Sequence, residues 1–347
     1  MNKIRAGVLG ATGYAGIELV RLLLSHPEVE ITYIVSNSYV GQKISEVYPH
    51  LKSVFELECN GLDEEKAAAL CDIVFTALPH GASKKVIPAL YEKGLKIIDL
   101  SGDFRYDDVK VYETWYGESH PAPELLKKAV YGLPELHRSQ IKKTDIIGNP
   151  GCYTTCSILG LAPLLAKGLC ETKNIIIDAK SGVSGAGRGL AVDYHFCECT
   201  ENMKAYKIAT HRHTSEIEQE LSNLAGEPIV LSFTPHLVPM KRGIFATCYA
   251  NLKAPMQSEE LKKVYQDYYQ GEYFVRVYQD GLPESNHVAG SNFVDIGVSV
   301  DPRLNRAVIV SCIDNLIKGA AGQAVQNMNL LFGLEESAGL KNAGFYL

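Results

Sequence analysis

A chain of 347 residues is too long for one ordinary core and is expected to fold as two domains. Hydrophobic residues make up 46% and charged residues 21%, the balance of a soluble globular protein. With 34 Lys and Arg against 40 Asp and Glu, the formal charge of −6 excludes a general attraction for nucleic acid or anionic membrane, though not a local basic pocket.

The chain opens with a strand, Lys3–Leu9, and shows neither a long apolar leader nor a small-residue cleavage site. No apolar run reaches the length of a membrane span. Nine cysteines without framework spacing read as reduced thiols, so a cytoplasmic setting is expected. A helix over Gly16–Leu24 follows, with Leu19, Val20, Leu22 and Leu23 on its apolar face. Strands are expected at Glu30–Val35, Asp72–Leu78, Leu95–Leu100 and, more briefly, Asp145–Gly148, with helices at Glu64–Leu70 and Ser83–Lys93. Strands alternating with helices point to an α/β, parallel, doubly wound sheet.

Beyond Cys152 the pattern changes. A helix over Ile158–Leu165 is followed by strand-like runs at Asn174–Lys180, Ile229–Pro235, Gly243–Leu252, Phe274–Tyr278, Phe293–Val300 and Ala307–Cys312. Few helices interrupt them, Glu216–Ala225 and Glu259–Gln270 being the clearest. This predicts an α+β domain on a mostly antiparallel sheet. The tail, Asn315–Phe332, returns to helix. No Pro/Gly-rich linker separates the halves, so the boundary is expected in a tight connection near Asn149.

Two segments carry the chemistry. Gly10-Ala-Thr12-Gly13-Tyr14-Ala15-Gly16 lies between the first strand and the first helix, where glycines let backbone amides approach a pyrophosphate. Its G-x-x-G-x-x-G spacing differs from the commoner G-x-G-x-x-G, and a tight turn is the plain alternative. The second strand ends at Ser36-Asn37-Ser38, without the acid that holds a ribose 2′-hydroxyl. Ser36 and Ser38 hydroxyls suit a 2′-phosphate, which favours NADP(H) over NAD; alternatively they only shape a turn.

The second segment, Asn149-Pro150-Gly151-Cys152, ends a strand and opens an apolar helix. A thiol in a first helical turn meets the positive end of the helix dipole, which favours the thiolate. Cys156, one turn on, reads as structural. A proton partner for Cys152 is sought in His211-Arg-His213-Thr-Ser-Glu216, where Thr214 or Ser215 is expected to cap a helix; the alternative leaves both histidines as surface or capping residues. Arg105, in Asp99-Leu-Ser101-Gly-Asp103-Phe-Arg105, is placed to grip a phosphate or carboxylate, or to pair with Asp103 or Asp107. Ser184 and Gly185 lie in a second Gly-rich loop, 181–189, suited to a nicotinamide and substrate pocket or simply mobile. His195-Phe-Cys197-Glu-Cys199 lacks a second ligand pair at zinc spacing, so no metal is expected.

Taken in order, GATGYAG (10–16), LPHG (78–81), DLSGDFR (99–105), YGLPE (131–135), NPGCYTT (149–155), SGVSGAGR (181–188), HRHTSEIEQ (211–219), FTPHLVPMKRG (233–243) and DNLIKGAAGQAVQNMN (314–329) span nearly the whole chain. In these segments it resembles the longer form of the N-acetyl-gamma-glutamyl-phosphate reductases, relatives of the aspartate-semialdehyde dehydrogenases. The resemblance implies a Rossmann-like NADP domain of residues 1–148 completed by 315–347, with a catalytic and oligomerisation domain at 149–314. It implies a homodimer or homotetramer acting on a small acyl phosphate. It carries the nucleophile onto Cys152, substrate binding onto Ser101, Arg105 and Asn149, and acid/base work onto His213 with His211 and Glu216 nearby. Gly185 and its neighbours match the loop near the nicotinamide, and Asn315 the residue that reaches the cofactor amide. Attack by Cys152 would expel phosphate, leave a thioester and end in the semialdehyde. Aspartyl or amino-adipyl phosphate are the alternative substrates; a cysteine hydrolase or an NADP-sensing protein would be rivals of another class. Thr154 and Ser215 stand where such enzymes usually have Pro, a difference expected to touch local rigidity only.

Overall fold

The structure is a computed structural model and describes residues 3–346. The chain divides into two compact units. One runs to Pro150 and takes in Ala320–Lys341; the other is Gly151–Gly319 with the residues from Asn342 on.

The first unit holds a six-stranded sheet of β1 (Ile4–Leu9), β2 (Val29–Val35), β3 (Ile73–Thr76), β4 (Lys96–Asp99), β5 (Val130–Tyr131) and β6 (Ile146–Gly148). Their spatial order is β2-β1-β3-β4-β6-β5, and every pairing is parallel. All four residues of β3 are buried, as in a sheet covered on both faces. The helix Tyr14–Leu24 buries Ile17, Leu19, Val20, Leu22 and Leu23. It packs against the helix Gly322–Leu331, which is buried along its whole length. The helices Val109–Tyr116 and Pro134–Ile141 and the two-residue β5 were not foreseen; they are short and mix polar with aromatic residues.

The second unit holds a seven-stranded sheet of β7 (Ile176–Gly182), β8 (Lys204–Ala205), β9 (Ser232–Val238), β10 (Ile244–Asn251), β11 (Val275–Val277), β12 (Val294–Asp301) and β13 (Arg306–Ile313), in the order β11-β12-β13-β10-β7-β9-β8. The expectation of a mostly antiparallel sheet is corrected: the sheet is mixed. β7 pairs with β9, and β11 with β12, in parallel. The chain leaves β7 and returns to β9 through the helix His213–Ala225, and a crossover of that length delivers a parallel neighbour, which a hairpin cannot.

β10 alternates buried and half-buried residues, with Ile244, Ala246, Cys248 and Ala250 on the covered face. That face receives the helix Cys152–Ala166, which is buried on all sides from Tyr153 to Leu165. A helix apolar all round must be enclosed, and here it lies between the sheet and the helix His213–Ala225. Tyr265 is fully buried and donates its hydroxyl to the Gly160 carbonyl at 2.6 Å, closing the far side.

Two helix starts differ from expectation. The helix that follows His211 and Arg212 begins at His213, with Arg212 at its cap position. Thr214 and Ser215 therefore lie inside its first turn, and the Ser215 hydroxyl donates back to the Arg212 carbonyl at 3.0 Å. The final helix does not start at Asn315. A π-turn, Ile317–Ala321, comes first, with Gly319 N–H donating to the Asp314 carbonyl at 2.9 Å.

Candidate active site

In the first unit, the glycine loop follows β1. Gly10 has a left-handed φ of +89°, and a Cβ there would strike the Ala77 carbonyl. A Cβ on Gly16 would strike the Gly10 carbonyl oxygen, so the helix packs tightly on the strand that precedes it. Gly13 has more room: a Cβ there would meet nothing closer than the Gly10 carbonyl oxygen, at 3.6 Å. It caps the helix through its extended backbone rather than a side chain. No acid occupies the first turn, Tyr14-Ala15-Gly16. This is the arrangement that receives a pyrophosphate on helix amides.

The Ser36 hydroxyl is buried and lies 2.7 Å from that of Thr12, so it braces the loop from β2. Ser38 is exposed beyond it.

At the carboxyl ends of β4 and β6, three further residues meet. The Asn149 N–H donates to the Asp99 carbonyl at 2.8 Å, and Gly148 lies so close to Phe104 and Arg105 that a Cβ would collide with the Phe104 carbonyl. Ser101 is buried; its hydroxyl donates to Asp99 Oδ2 at 2.9 Å and accepts from the Asp103 N–H at 3.2 Å. Asp99 is a buried carboxyl whose pKa is pushed up by burial and by the neighbouring Asp103. Arg105 is 5% exposed and donates Nη2 to the Leu100 carbonyl at 3.0 Å. The Asn149 amide reaches the Ala320 carbonyl at 3.1 Å and accepts from Asn327 at 3.0 Å. These groups form a tied framework at the strand ends where α/β sheets bind ligands.

The second unit gathers the Cys152 segment and the histidines. Cys152 is the first residue of its helix, and Gly151 caps it in extended conformation without a side-chain bond. Cys152 is partly exposed, whereas Cys156 is fully buried and its Sγ lies 3.1 Å from the Ser311 carbonyl. Burial pushes the Cys156 thiol up to about 12 and Cys170 to about 11, so both are inert thiols. The described residues contain no disulfide among the nine cysteines.

Glu216 is completely buried, and its Oε1 accepts from the Gly151 N–H at 3.0 Å. A Cβ on Gly151 would run into His213 Nε2, so the glycine lets that ring lie against the peptide leading into Cys152. The His211 and His213 ring centroids are 4.7 Å apart, with Tyr153, Tyr206 and Phe233 edge-on to one or both. The His213 N–H donates to His211 Nδ1 at 3.1 Å. That nitrogen is an acceptor, so the neutral ring of His211 carries its proton on Nε2. Burial pushes the Tyr206 hydroxyl up to about 12, so it remains a neutral donor.

Gly319, which the sequence did not flag, packs directly on Cys152. A Cβ there would lie 2.6 Å from Cys152 Cβ. The glycine run in 314–329 was visible, but its approach to Cys152 depends on the π-turn, which has no sequence signature. Asn315 cross-ties the second glycine loop: Nδ2 donates to the Ser184 hydroxyl at 3.0 Å, and Oδ1 accepts from the Gly243 N–H at 2.8 Å. Gly185 is exposed beside it. The second hydrogen of the Asn315 amide is a further donor by its chemistry. Among the described residues no group of three or more His, Cys, Asp or Glu is arranged for a metal.

Family models, known proteins and solved structures all match the chain. Residues 5–144 match the family model described as semialdehyde dehydrogenase, NAD binding domain, and residues 152–315 the one described as semialdehyde dehydrogenase, dimerisation domain. The chain is 63% identical to N-acetyl-gamma-glutamyl-phosphate reductase of Acetivibrio thermocellus over 98% of this chain and 99% of that one. It is 57% identical to the enzyme of the same name from Symbiobacterium thermophilum, over 98% of each. Among solved structures, aspartate semialdehyde dehydrogenase with NADP from Candida albicans shares the fold at a TM-score of 0.73 and 18% identity, covering 95% of this chain and 99% of that one. The chain belongs to the semialdehyde dehydrogenase family, and within it to the N-acetyl-gamma-glutamyl-phosphate reductases.

Proposed function

We propose that this protein reduces N-acetyl-gamma-glutamyl phosphate to N-acetyl-glutamate 5-semialdehyde and phosphate with NADPH, as a step of arginine biosynthesis in the cytoplasm. The observation that carries the reading is Cys152 at the open start of a buried helix, with a histidine against the preceding glycine. The full-length likeness to reductases of that name supports the substrate. The dimerisation description of residues 152–315 supports a homodimer, or a homotetramer built from it.

The cofactor fits the glycine loop, where Gly10 and Gly16 leave no room for side chains and Gly13 opens the helix. Gly10, Thr12, Gly13, Tyr14, Ala15 and Gly16 would hold its pyrophosphate, Ser38 its 2′-phosphate with Ser36 bracing Thr12, and Ser184, Gly185 and Asn315 its nicotinamide end. NADPH supplies the hydride when bound.

The chain's own residues do the rest. Cys152 attacks the acyl carbon as the thiolate, the carbon–oxygen bond to phosphate breaks, and a thioester remains on Sγ. Arg105, presented by the Ser101 loop and Asn149, steadies the departing phosphate as a forked donor. His213 gives a proton to the carbonyl oxygen during reduction and takes it back as the carbon–sulfur bond breaks and Cys152 leaves as the thiolate, with His211 fixing its place and Glu216 holding the helix start.

The reaction is best tested in reverse, following NADPH formation from N-acetyl-glutamate semialdehyde, phosphate and NADP. Phosphate-dependent reduction that fails with aspartate and amino-adipate semialdehydes is the expected result. Turnover of one of those instead would transfer the substrate assignment, and no NADP reduction together with cofactor-independent hydrolysis of the acyl phosphate would favour a cysteine hydrolase.

A further inference from the structure

We propose that Thr154 is a positioning residue for Cys152, acting through Glu216. This rests on the reading of Cys152 as the nucleophile. Thr154 lies in the first turn of the nucleophile helix, and both it and Glu216 are wholly buried. Its hydroxyl oxygen lies 2.9 Å from Glu216 Oε1 and 2.6 Å from the Gly151 carbonyl oxygen.

A hydroxyl has one proton and both neighbours are acceptors. The hydroxyl shares its one proton between two acceptors, Glu216 Oε1 and the Gly151 carbonyl oxygen, and Glu216 Oε1 also accepts from the Gly151 N–H. The carboxyl is thus tied to the residue that precedes Cys152. A buried carboxylate needs such donors to keep its charge. The same donation draws negative charge away from a helix start that must favour a thiolate.

Thr154→Val keeps the shape and removes the proton. Glu216 is then left with less of its charge offset, and the thiolate at Cys152 is disfavoured. The experiment measures the pH dependence of Cys152 alkylation by iodoacetamide, located by mass spectrometry, together with kcat and KM in the reverse reaction, for Thr154→Val, Thr154→Ser, Glu216→Gln and the Val/Gln double variant. We expect Thr154→Val to move the alkylation midpoint upward and to lower kcat about tenfold with KM little changed, the loss of one charge-assisted hydrogen bond. Thr154→Ser restores both. Glu216→Gln moves the midpoint downward, and in that background the Val substitution adds less than about twofold, the signature of two residues acting as one unit. If Val does not fold, Thr154→Ala is read against Ser in the same way. An unmoved or lowered midpoint in Thr154→Val, or an equal effect with and without Glu216, overturns the proposal. Alkylation needs no substrate, so this failure is distinct from a wrong substrate assignment.

Discussion

Gly13 and Gly151 each open a helix, with backbone angles of −78°, 166° and −74°, 161°, and neither start is closed by a side chain of its cap residue. Each first turn also lacks an acid. The similarity ends with what meets the helix. Around Gly13 the neighbouring glycines exclude side chains, and the start is shaped for an anion brought from outside. At Gly151 the protein supplies its own carboxylate, Glu216, and the first helical residue is a thiol. One geometry thus stands beside different groups in the two units. The difference lies in residues distant along the chain: Gly151 and Glu216 are separated by 65 positions.

The sharpest way to break this comparison is Cys152→Ser. It is expected to lower turnover by roughly 10⁴-fold or more, as loss of a nucleophile does, while NADPH binding followed by fluorescence stays unchanged. Substantial residual turnover would remove Cys152 from the mechanism. Next comes Gly319→Ala, which adds a methyl where Cys152 Cβ already sits. A fall in kcat of about 100-fold is expected from displacement of the nucleophile; wild-type kcat in a folded variant would show that the approach is incidental. A smaller effect should mark the other helix start. Gly16→Ala is expected to weaken NADPH binding by about tenfold through the forced movement of Gly10, with the rate of Cys152 alkylation untouched. A parallel loss of both would mean the two starts are not independent.

The smallest effect concerns stability of the first unit. His26 is buried; its Nδ1 accepts from the Glu28 N–H at 3.2 Å, and its Nε2 faces Asn329 Oδ1 at 3.0 Å, so the ring is neutral. Burial, first, holds its pKa below the ordinary 6.5. A pKa lowered on folding means that the unfolded chain binds more protons in the window below 6.5. The stabilising contribution is whole above 6.5 and is lost as the pH falls from there to the lowered value. His120, buried and lowered mainly by burial, adds in the same direction. A fall in Tm of roughly 2 °C between about pH 7 and about pH 5.5 is expected, reduced in His26→Gln; a Tm insensitive to His26 over that range would contradict it.

Much of this was legible beforehand, for identifiable reasons. The strands of the first sheet are short apolar runs, and Glu64–Leu70 matches its predicted bounds because Asp63 caps it. Cys152 stood out because Asn-Pro-Gly precedes it and an apolar helix follows. The mixed pairing of the second sheet was hidden, since β7 and β9 look alike whether they run parallel or not. The partners of buried polar groups were also hidden. Ser36 reads as a ligand contact, and its hydroxyl also meets Thr12; Thr154 reads as a change in rigidity, yet it meets Glu216. Such pairings depend on which residues the fold brings together across long stretches of chain.

The π-turn at Ile317–Ala321 constrains how the sequence can drift. Deleting one residue there would let the segment relax into an ordinary α-helix, locally the better hydrogen-bonded form. It would also swing everything on one side of the cut round by about 100°, carrying Gly319 off the nucleophile and bringing a residue with a Cβ in its place. Length, and not composition alone, is therefore under constraint in this stretch, and insertions or deletions should be accepted less readily here than in the exposed turns around Gly271 or Gly281.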